Sequence, residues 1–237
     1  MEFKKEVYTV DKVIEEAKNI VTICLVPESG IKLKFKSGQF VQVELVDNPN
    51  KLPSKSYSIS STENDPFISI SVKKTGPFSS VLHGLGVGDK LFIMGPLGSF
   101  FVRDSMKKIV FLAGGIGIAP FYSMVKDFYE RGDQEKEVYL FYSSKTKEDI
   151  AFYTQLKDMK KVWDGLHIIH FLTQDNKKID GVREYQRIDA SVLRKYAGNP
   201  DSFYYFVCGS VPFVTEVSKI IESQGVSEKK IFAELFY

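Results

Sequence analysis

KIVFLAGGIGIAP, residues 108–120, joins an uninterrupted apolar run to a group of three glycines. Residues 109–113 are all apolar, and a run of this length that ends at glycines is typical of a strand buried on both faces of a parallel sheet. The glycines allow a sharp turn and a close approach to a ligand. Pro120 suits the first turn of a helix, where a missing N–H costs little. Apolar residues at helical spacing follow over 121–131, so the pattern predicts strand, glycine turn and helix.

The N–H groups at the start of such a helix favour a phosphate. The common dinucleotide fingerprint, however, has a third glycine where Pro120 stands, and an acidic residue at the end of the next strand. Here the next predicted strand, 138–142, ends in SSK, residues 143–145. From these residues alone a standard NAD site is not supported, and a glycine turn that only packs two elements is an open alternative.

Composition excludes several classes of protein. The 237 residues can bury a core in one or two domains, and 43% hydrophobic and 26% charged residues are ordinary for a globular protein. The net charge of +2 is too small to indicate a nucleic-acid partner. The sequence also shows neither the apolar stretch of a signal peptide nor a run of about 18 apolar residues, so no membrane span is predicted.

Cys24 and Cys208 are the two cysteines. They are too few for a four-cysteine iron–sulfur cluster or a four-thiolate zinc site, and we predict no metal. Such usage fits a reducing cytoplasm. Lysines cluster at 32/34/36, 73/74 and 107/108; these are either solvated faces or a docking surface for an acidic protein.

The first hundred residues read as short strands of period two, which predict an antiparallel barrel or sandwich. The predicted strands are 7–13, 20–26, 39–45, 56–59, 67–72 and 90–94, with one helix at 79–85. After residue 107 strands and helices alternate, which predicts a parallel sheet with right-handed crossovers. Its predicted strands are 109–113, 138–142, 166–172, 204–208 and 231–233, and its helices are 121–131, 148–160, 190–196 and 213–224. Asp189 is expected to cap the third helix and Gly225 to end the fourth.

Three segments of the first half carry polar patterns. On a strand, Lys55, Tyr57 and Ile59 share one face, and three serines, at 56, 58 and 60, share the other. Residues 71–80 run from a strand through Gly-Pro into a helix, which predicts a phosphate cradle or, with nothing bound, a helix cap at Ser79 or Ser80. GPLGSF, residues 95–100, forms a tight turn.

In this order and spacing the motifs resemble those of the ferredoxin–NADP reductase superfamily of flavoenzymes. The resemblance rests on K-S-Y-S-I-S-S at 55–61, with lysine for the family's arginine, G-P-F-S at 76–79, G-P-L-G-S-F at 95–100 and G-G-I-G-I-A-P at 114–120. A Cys-Gly pair at 208–209 and E-L-F at 234–236 complete it. The resemblance spans nearly the whole chain.

It implies a six-stranded antiparallel β-barrel that holds FAD over residues 1–104, and an α/β domain with a five-stranded parallel sheet that binds NADH or NADPH over 105–237. The residues it assigns to FAD are Lys55, Ser56, Tyr57, Ser58, Ser71, Val72, Lys73, Gly76, Pro77, Phe78, Ser79, Ser80 and Phe236, with Tyr237 as the alternative to Phe236. Those it assigns to NAD(P) are Gly114, Gly115, Gly117, Pro120, Ser144, Lys145, Cys208 and Gly209. Because lysine lacks arginine's bidentate fork, we expect looser phosphate binding at Lys55, with FMN as the second choice of flavin.

The implied reaction is hydride transfer from NAD(P)H to the flavin, followed by electron transfer to an external acceptor. Ser58, Cys208 and Glu234 are the implied catalytic residues; Cys208 is otherwise an inert buried thiol, and Glu234 a surface carboxylate. The coenzyme preference stays open, with Lys145, Lys177, Lys178, Arg183 and Arg187 as candidates for a 2′-phosphate. No histidine matches a family motif, and all three are interpreted as structural.

The expected acceptor is an acidic carrier such as ferredoxin or flavodoxin, with an oxygenase component or free flavin as other choices. Two further functions remain open. One is a flavin reductase that uses flavin as a passing substrate, and the other is an electron-transfer subunit of a larger complex.

Overall fold

The computed structural model describes residues 5–133, 135–175 and 186–236. Contacts divide the chain into two compact units. One comprises the chain through Phe101 together with Ala119–Asp127, and the other comprises Val102–Ile118 and the chain from Phe128 onward.

The first unit is a six-stranded antiparallel sheet that curls into a half-barrel, which confirms the predicted class. Its strands are β1 Lys5–Ala17, β2 Ile20–Pro27, β3 Phe40–Leu45, β4 Lys55–Ser58, β5 Ile68–Lys73 and β6 Lys90–Leu97, in the order β4-β3-β6-β1-β2-β5. A bridge between Ile59 and Ile70 connects the two ends of this order. The period-two pattern works as expected on β3, where Val41, Val43 and Leu45 are buried in the core.

The first helix of the chain, α1 Pro77–His83, begins two residues before the predicted start at 79. Proline is tolerated at the first helical position, and Ser79 hydrogen-bonds back to the backbone that precedes the helix. The start is therefore set by Gly76, the N-cap residue, and by Ser79 together.

The second unit has the predicted five-stranded parallel sheet. Its strands are β7 Lys108–Gly114, β8 Glu137–Ser144, β9 Leu166–Leu172, β10 Tyr204–Ser210 and β11 Ile231–Phe236, in the order β11-β10-β7-β8-β9. β7 is central, and its residues 109–113 are fully buried, as the apolar run predicts. Three helices belong to this unit: α3 Tyr153–Val162, α4 Ala190–Ala197 and α5 Val211–Glu222. The helix that follows β7, α2 Ile118–Arg131, is shared, because its residues Ala119–Asp127 count with the first unit. In the described ranges, none of the helices is long and apolar enough to cross a membrane.

Several helix boundaries differ from the prediction by two or more residues. The helix expected at 148–160 begins at Tyr153, because Thr146 and Asp149 cap each other around a short 3-10 turn and the chain then becomes extended at Ile150. α5 ends at Glu222, before Gly225, whose φ of +79° lies beyond the helix. The cap at Asp189 is confirmed, since its carboxylate accepts a 2.9 Å hydrogen bond from the Val192 N–H.

Candidate flavin and nucleotide sites

The glycine turn after β7 is a 3-10 turn, Gly115–Gly117, that leads directly into α2. Gly115 has a φ of +55°, and a Cβ there would meet nothing within 4 Å. A Cβ at Gly117 would lie 2.2 Å from the carbonyl oxygen of Cys208. Gly117 therefore allows the turn to pack on the backbone of β10, whereas Gly115 supplies the conformation and leaves open space beside the turn. Pro120 is the third residue of α2.

Gly114 and Gly209 make room for one aromatic ring. A Cβ at Gly114 would lie 2.8 Å from the ring of Phe213, and one at Gly209 would lie 2.9 Å from the same ring. Phe213 belongs to the first turn of α5. The sequence pattern did not single out Phe213; the signal available was an aromatic residue shortly after a strand that ends in Cys-Gly.

Cys208 and Glu234, two of the implied catalytic residues, lie side by side on neighbouring strands. They are register partners in β10 and β11, and Cys208 also pairs with Ala113 of β7. Cys208 is fully buried. Burial raises the pKa of its thiol well above the usual value, and the negative charge of Glu234 adds to this. The thiol is therefore neutral near pH 7 and does not act as a thiolate nucleophile.

Ser144 lies at the carboxyl end of β8, one residue beyond the partner of Gly114 in the register. It is 5% exposed, and within the described part of the chain its buried hydroxyl has no hydrogen-bond partner. A buried polar atom of this kind calls for a partner, which a bound ligand can supply. Lys145 beside it is exposed, and its carbonyl accepts a 2.9 Å bond from the Gln174 N–H.

Of the other candidates for a 2′-phosphate contact, Arg187 lies within the described residues and three lie outside them. Arg187 pairs with Glu216 at 3.3 Å. Lys177, Lys178 and Arg183 lie outside the described residues, as does Tyr237. Phe236 closes β11 and is partly buried.

In the first unit, Tyr57 of β4 and Phe78 of α1 form an aromatic pair. Their ring centroids are 6.3 Å apart with 24° between the planes. Tyr57 is half-buried, and burial raises the pKa of its phenol to about 12, so it stays neutral. Lys55 and Ser56 at the start of β4 are exposed, whereas Ser58 is 4% exposed. The strand thus places a cation beside an aromatic surface, as the alternation predicts.

Ser79 uses its hydroxyl at the start of α1. The hydroxyl oxygen accepts bonds from the N–H groups of Thr75 at 2.9 Å and Gly76 at 3.0 Å, and it donates to the Gly76 carbonyl at 3.0 Å. The predicted N-cap at Ser79 or Ser80 is wrong, because the helix begins earlier: Gly76 is the N-cap, and Ser79 hydrogen-bonds back to it from the third helical position. Ser80 is exposed, and Pro77 has no N–H to offer.

Ser71 belongs to a row of buried hydroxyls on β2, β5 and the segment after β4. Its oxygen lies 2.7 Å from that of Thr22 and 2.9 Å from that of Ser60, which in turn lies 2.9 Å from that of Ser69. Val72 is fully buried in the core, and its carbonyl accepts a 2.9 Å bond from His83. The side chains of Ser71 and Val72 therefore stabilise the half-barrel, and the bond from His83 supports its interpretation as structural. Lys73 follows, half-buried.

Two protein families match this chain. An oxidoreductase FAD-binding domain matches residues 8–102, and an oxidoreductase NAD-binding domain matches residues 111–219. The reductase subunit of glycine betaine monooxygenase from Pseudomonas aeruginosa is 31% identical over 233 residues, which are 95% of this chain and 62% of that protein. A flavohemoprotein of Bacillus subtilis is 28% identical over 235 residues, 97% of this chain and 58% of that protein. The chain thus spans about three fifths of the length of these relatives.

The fold is also that of a solved structure. The flavohem-like FAD/NAD-binding domain of nitric oxide dioxygenase from Vibrio cholerae matches with a TM-score of 0.87, covering 98% of both chains at 21% identity. With an FAD-binding half-barrel followed by an NAD-binding parallel sheet, this chain belongs to the ferredoxin–NADP reductase superfamily.

Proposed function

We propose that this chain is a flavin-dependent NAD(P)H reductase that passes electrons to a separate acceptor protein, with domain limits at 1–104 and 105–237. The presence of an FAD-binding and an NAD-binding domain in one chain carries the proposal. The Pseudomonas relative is the reductase subunit of a monooxygenase, and this similarity supports an external acceptor.

The residues of the first unit fit a flavin. Tyr57 and Phe78 offer an aromatic surface, and the ammonium groups of Lys55 and Lys73 balance a diphosphate. When bound, FAD supplies the chemistry that accepts a hydride from NAD(P)H and releases electrons to the next carrier. The protein's contribution is to hold the two cofactors at a fixed distance and angle.

The residues of the second unit fit a dinucleotide. The open space at Gly115 lets a phosphate approach the start of α2, and the buried hydroxyl of Ser144 gains a partner from the coenzyme. Cys208 acts as a neutral thiol beside the carboxylate of Glu234, and the two contact the nicotinamide from the second unit. Ser58 of β4 is the catalytic candidate on the flavin.

An absorbance titration tests the proposal. The protein is loaded with FAD, filtered to remove free flavin, and mixed without oxygen with NADH or NADPH. We expect retained yellow colour that bleaches with at least one coenzyme. A protein that retains neither FAD nor FMN and oxidises neither coenzyme would overturn the proposal. A colourless protein that still oxidises NAD(P)H when free flavin is added would instead identify a flavin reductase.

Tyr57 provides a matched pair of variants for this titration. Tyr57→Phe keeps the ring and the stack with Phe78, whereas Tyr57→Ser removes the ring. If Tyr57 supports the flavin by stacking, Tyr57→Ser loses flavin on filtration and Tyr57→Phe retains it.

The coenzyme preference has its own test at Lys145. If its ammonium meets a 2′-phosphate, Lys145→Gln raises the KM for NADPH several-fold and leaves the KM for NADH unchanged. Lys147→Gln, an exposed neighbour that follows in the 3-10 turn, is the control. Equal effects of Lys145→Gln on both coenzymes would remove Lys145 from 2′-phosphate recognition.

A further inference from the structure

Two buried polar atoms without a partner lie toward the carboxyl ends of β8 and β9. Ser144 ends β8 and is 5% exposed, and His170 of β9 is 6% exposed. Among the residues that the structure describes, neither the Ser144 hydroxyl nor the His170 Nδ1 atom has a hydrogen-bond partner. A hydroxyl donates and a ring nitrogen accepts, so the two atoms are chemically complementary.

The register of the sheet places the two side chains on one face. His170 pairs with Tyr142, and Ser144 stands two residues beyond Tyr142 on the same face of β8. Neighbouring strands are about 4.8 Å apart and two residues of a strand span about 6.6 Å, so the two Cα atoms lie about 8 Å apart. At this separation the hydroxyl and the ring nitrogen can meet directly or through one buried water molecule.

The surroundings of His170 keep its ring neutral. The ring lies against those of Tyr142 and Tyr153, with centroids 5.8 Å and 5.4 Å away. Burial, helped by the charge of Lys160, lowers the pKa of His170 to about 4. A neutral imidazole has one N–H and one acceptor nitrogen. Because a buried N–H without an acceptor is rarer than a buried acceptor without a donor, Nδ1 is assigned as the acceptor.

Ser144 also occupies the position that meets the ribose in the common dinucleotide site. There, the residue that ends the strand after the glycine turn is an acid, which accepts a bond from the ribose 2′-hydroxyl and thereby selects NAD. The backbone of Ser144 is fixed, since its carbonyl accepts a 3.1 Å bond from the Thr173 N–H. A serine hydroxyl can both donate and accept, so the contact of its proton decides what it recognises.

We propose that Ser144 donates its hydroxyl proton to Nδ1 of His170, directly or through one water molecule, and that the coenzyme site therefore selects NADH over NADPH. The inference rests on the proposed reductase function, in which Ser144 meets the coenzyme. A hydroxyl whose proton is already donated can still accept a bond from a ribose 2′-hydroxyl, but it cannot donate to a 2′-phosphate. His170 is thus a positioning residue that acts through Ser144.

Binding of the oxidised coenzymes tests the inference without turnover. The whole chain is titrated with NAD⁺ and with NADP⁺, which differ only in the 2′-phosphate, and the amide NMR signals of residues 143–145 report binding. We expect the native chain to bind NAD⁺ about tenfold more tightly, the effect of one unmade hydrogen bond to a charged group. His170→Leu frees the proton of Ser144 and should reduce this preference several-fold.

His167→Leu is the matched control. His167 is an imidazole on the same strand but on the opposite face, stacked on Tyr139 at 4.5 Å, so its replacement should leave the preference unchanged. Lys145 is present in every variant, so its attraction for phosphate cancels in the comparison. In the Ser144→Ala background, His170→Leu should not change the ratio of the two affinities further.

The ¹⁵N NMR signal of His170 Nδ1 reports the contact directly. It should be that of an unprotonated nitrogen that accepts a hydrogen bond, and Ser144→Ala should shift it. A protonated Nδ1, a preference for NADP⁺, or a preference that His170→Leu leaves unchanged would overturn the inference while the reductase function stands. A chain that binds neither coenzyme would contradict the coenzyme site itself, and with it the proposed function.

Discussion

Gly117 and Gly115 stand two residues apart in one turn but are needed for different physical reasons. Adding a Cβ at Gly117 brings it to 2.2 Å from a main-chain oxygen of β10, and main chain cannot move aside as the end of a flexible side chain can. At Gly115 the only obstacle is the left-handed φ of +55°. Gly117 is thus required by packing, and Gly115 is required by backbone conformation.

Gly117→Ala should therefore cost more stability than Gly115→Ala. We expect a loss of about 3 kcal/mol in the free energy of unfolding for Gly117→Ala, from overpacking, and of about 1 kcal/mol for Gly115→Ala, from backbone strain. Urea unfolding followed by circular dichroism measures both. Equal losses would show that the turn relaxes away from β10.

His170 is a buried imidazole whose Nδ1, within the described part of the chain, has no hydrogen-bond partner. It is 6% exposed and lies against the rings of Tyr142 and Tyr153. Burial, helped by the charge of Lys160, lowers its pKa from 6.5 to about 4. Between these pH values the unfolded chain binds the proton and the folded chain does not, so stability falls as the pH falls.

Lowering the pH from 7.5 to 5 should therefore cost the native protein about 2 kcal/mol through His170 alone. The His170→Leu variant has no titratable group at this position, so its free energy of unfolding should fall by about 2 kcal/mol less over the same pH interval. Urea unfolding of both proteins at the two pH values gives the difference. An identical pH dependence would show that His170 titrates normally in the fold.

At the scale of elements, α2 is bound to the segment after β4 by polar contacts. The ammonium of Lys126 lies 2.6 Å from both carboxylate oxygens of Asp65, and the Ser123 hydroxyl donates a 2.6 Å bond to the Ser61 carbonyl. The side chains of Lys126 and Asp65 are only 23% and 15% exposed. Asp65 also accepts a 2.8 Å bond from the Thr62 N–H.

A double-mutant cycle with Lys126→Met and Asp65→Asn should give a coupling energy of about 1–2 kcal/mol, because the pair is largely shielded from solvent. The control cycle uses Lys161 and Asp158 of α3, which are 63% and 59% exposed and should couple by about 0.5 kcal/mol or less. If the two cycles give the same energy, the contact of α2 with this segment contributes no more than a surface ion pair.

At the scale of the whole molecule, the lysine clusters differ in what their ammonium groups contact. Lys32 is bonded to the carbonyls of Glu63 and Asp65, while Lys107 and Lys108 pair with Glu135 at 2.6 Å and Glu137 at 3.0 Å. The ammonium groups of these three lysines are therefore already bound to oxygen atoms of the protein itself. In the pair at 73/74, Lys74 is exposed, which makes it the better candidate to attract the proposed acceptor protein if that protein is acidic.

Lys74→Glu should slow turnover with an acidic carrier several-fold, most strongly at low salt, because the charge change removes steering. Turnover with a small uncharged dye, which needs no docking surface, should stay unchanged. Steady-state rates with both acceptors at two salt concentrations provide the measurement. Equal slowing with carrier and dye would exclude Lys74 from docking.

The sequence by itself determined the two architectures and their order, because hydrophobic period and turn residues are local properties. The buried run before Gly114, the alternation on β3 and the cap at Asp189 were all readable within a few residues. Helix starts were less readable, since a pair such as Thr146 and Asp149 can hold a short turn in place of a helix.

Only the tertiary structure decided which polar groups and glycines act together. The hydroxyls of Thr22, Ser60 and Ser71 meet because β2, β5 and the segment after β4 are neighbours. Gly117 must be glycine because Cys208, 91 positions later in the chain, lies against it. Such contacts follow from strand pairing between distant segments, and the physical fit of one backbone against another is not written in either segment alone.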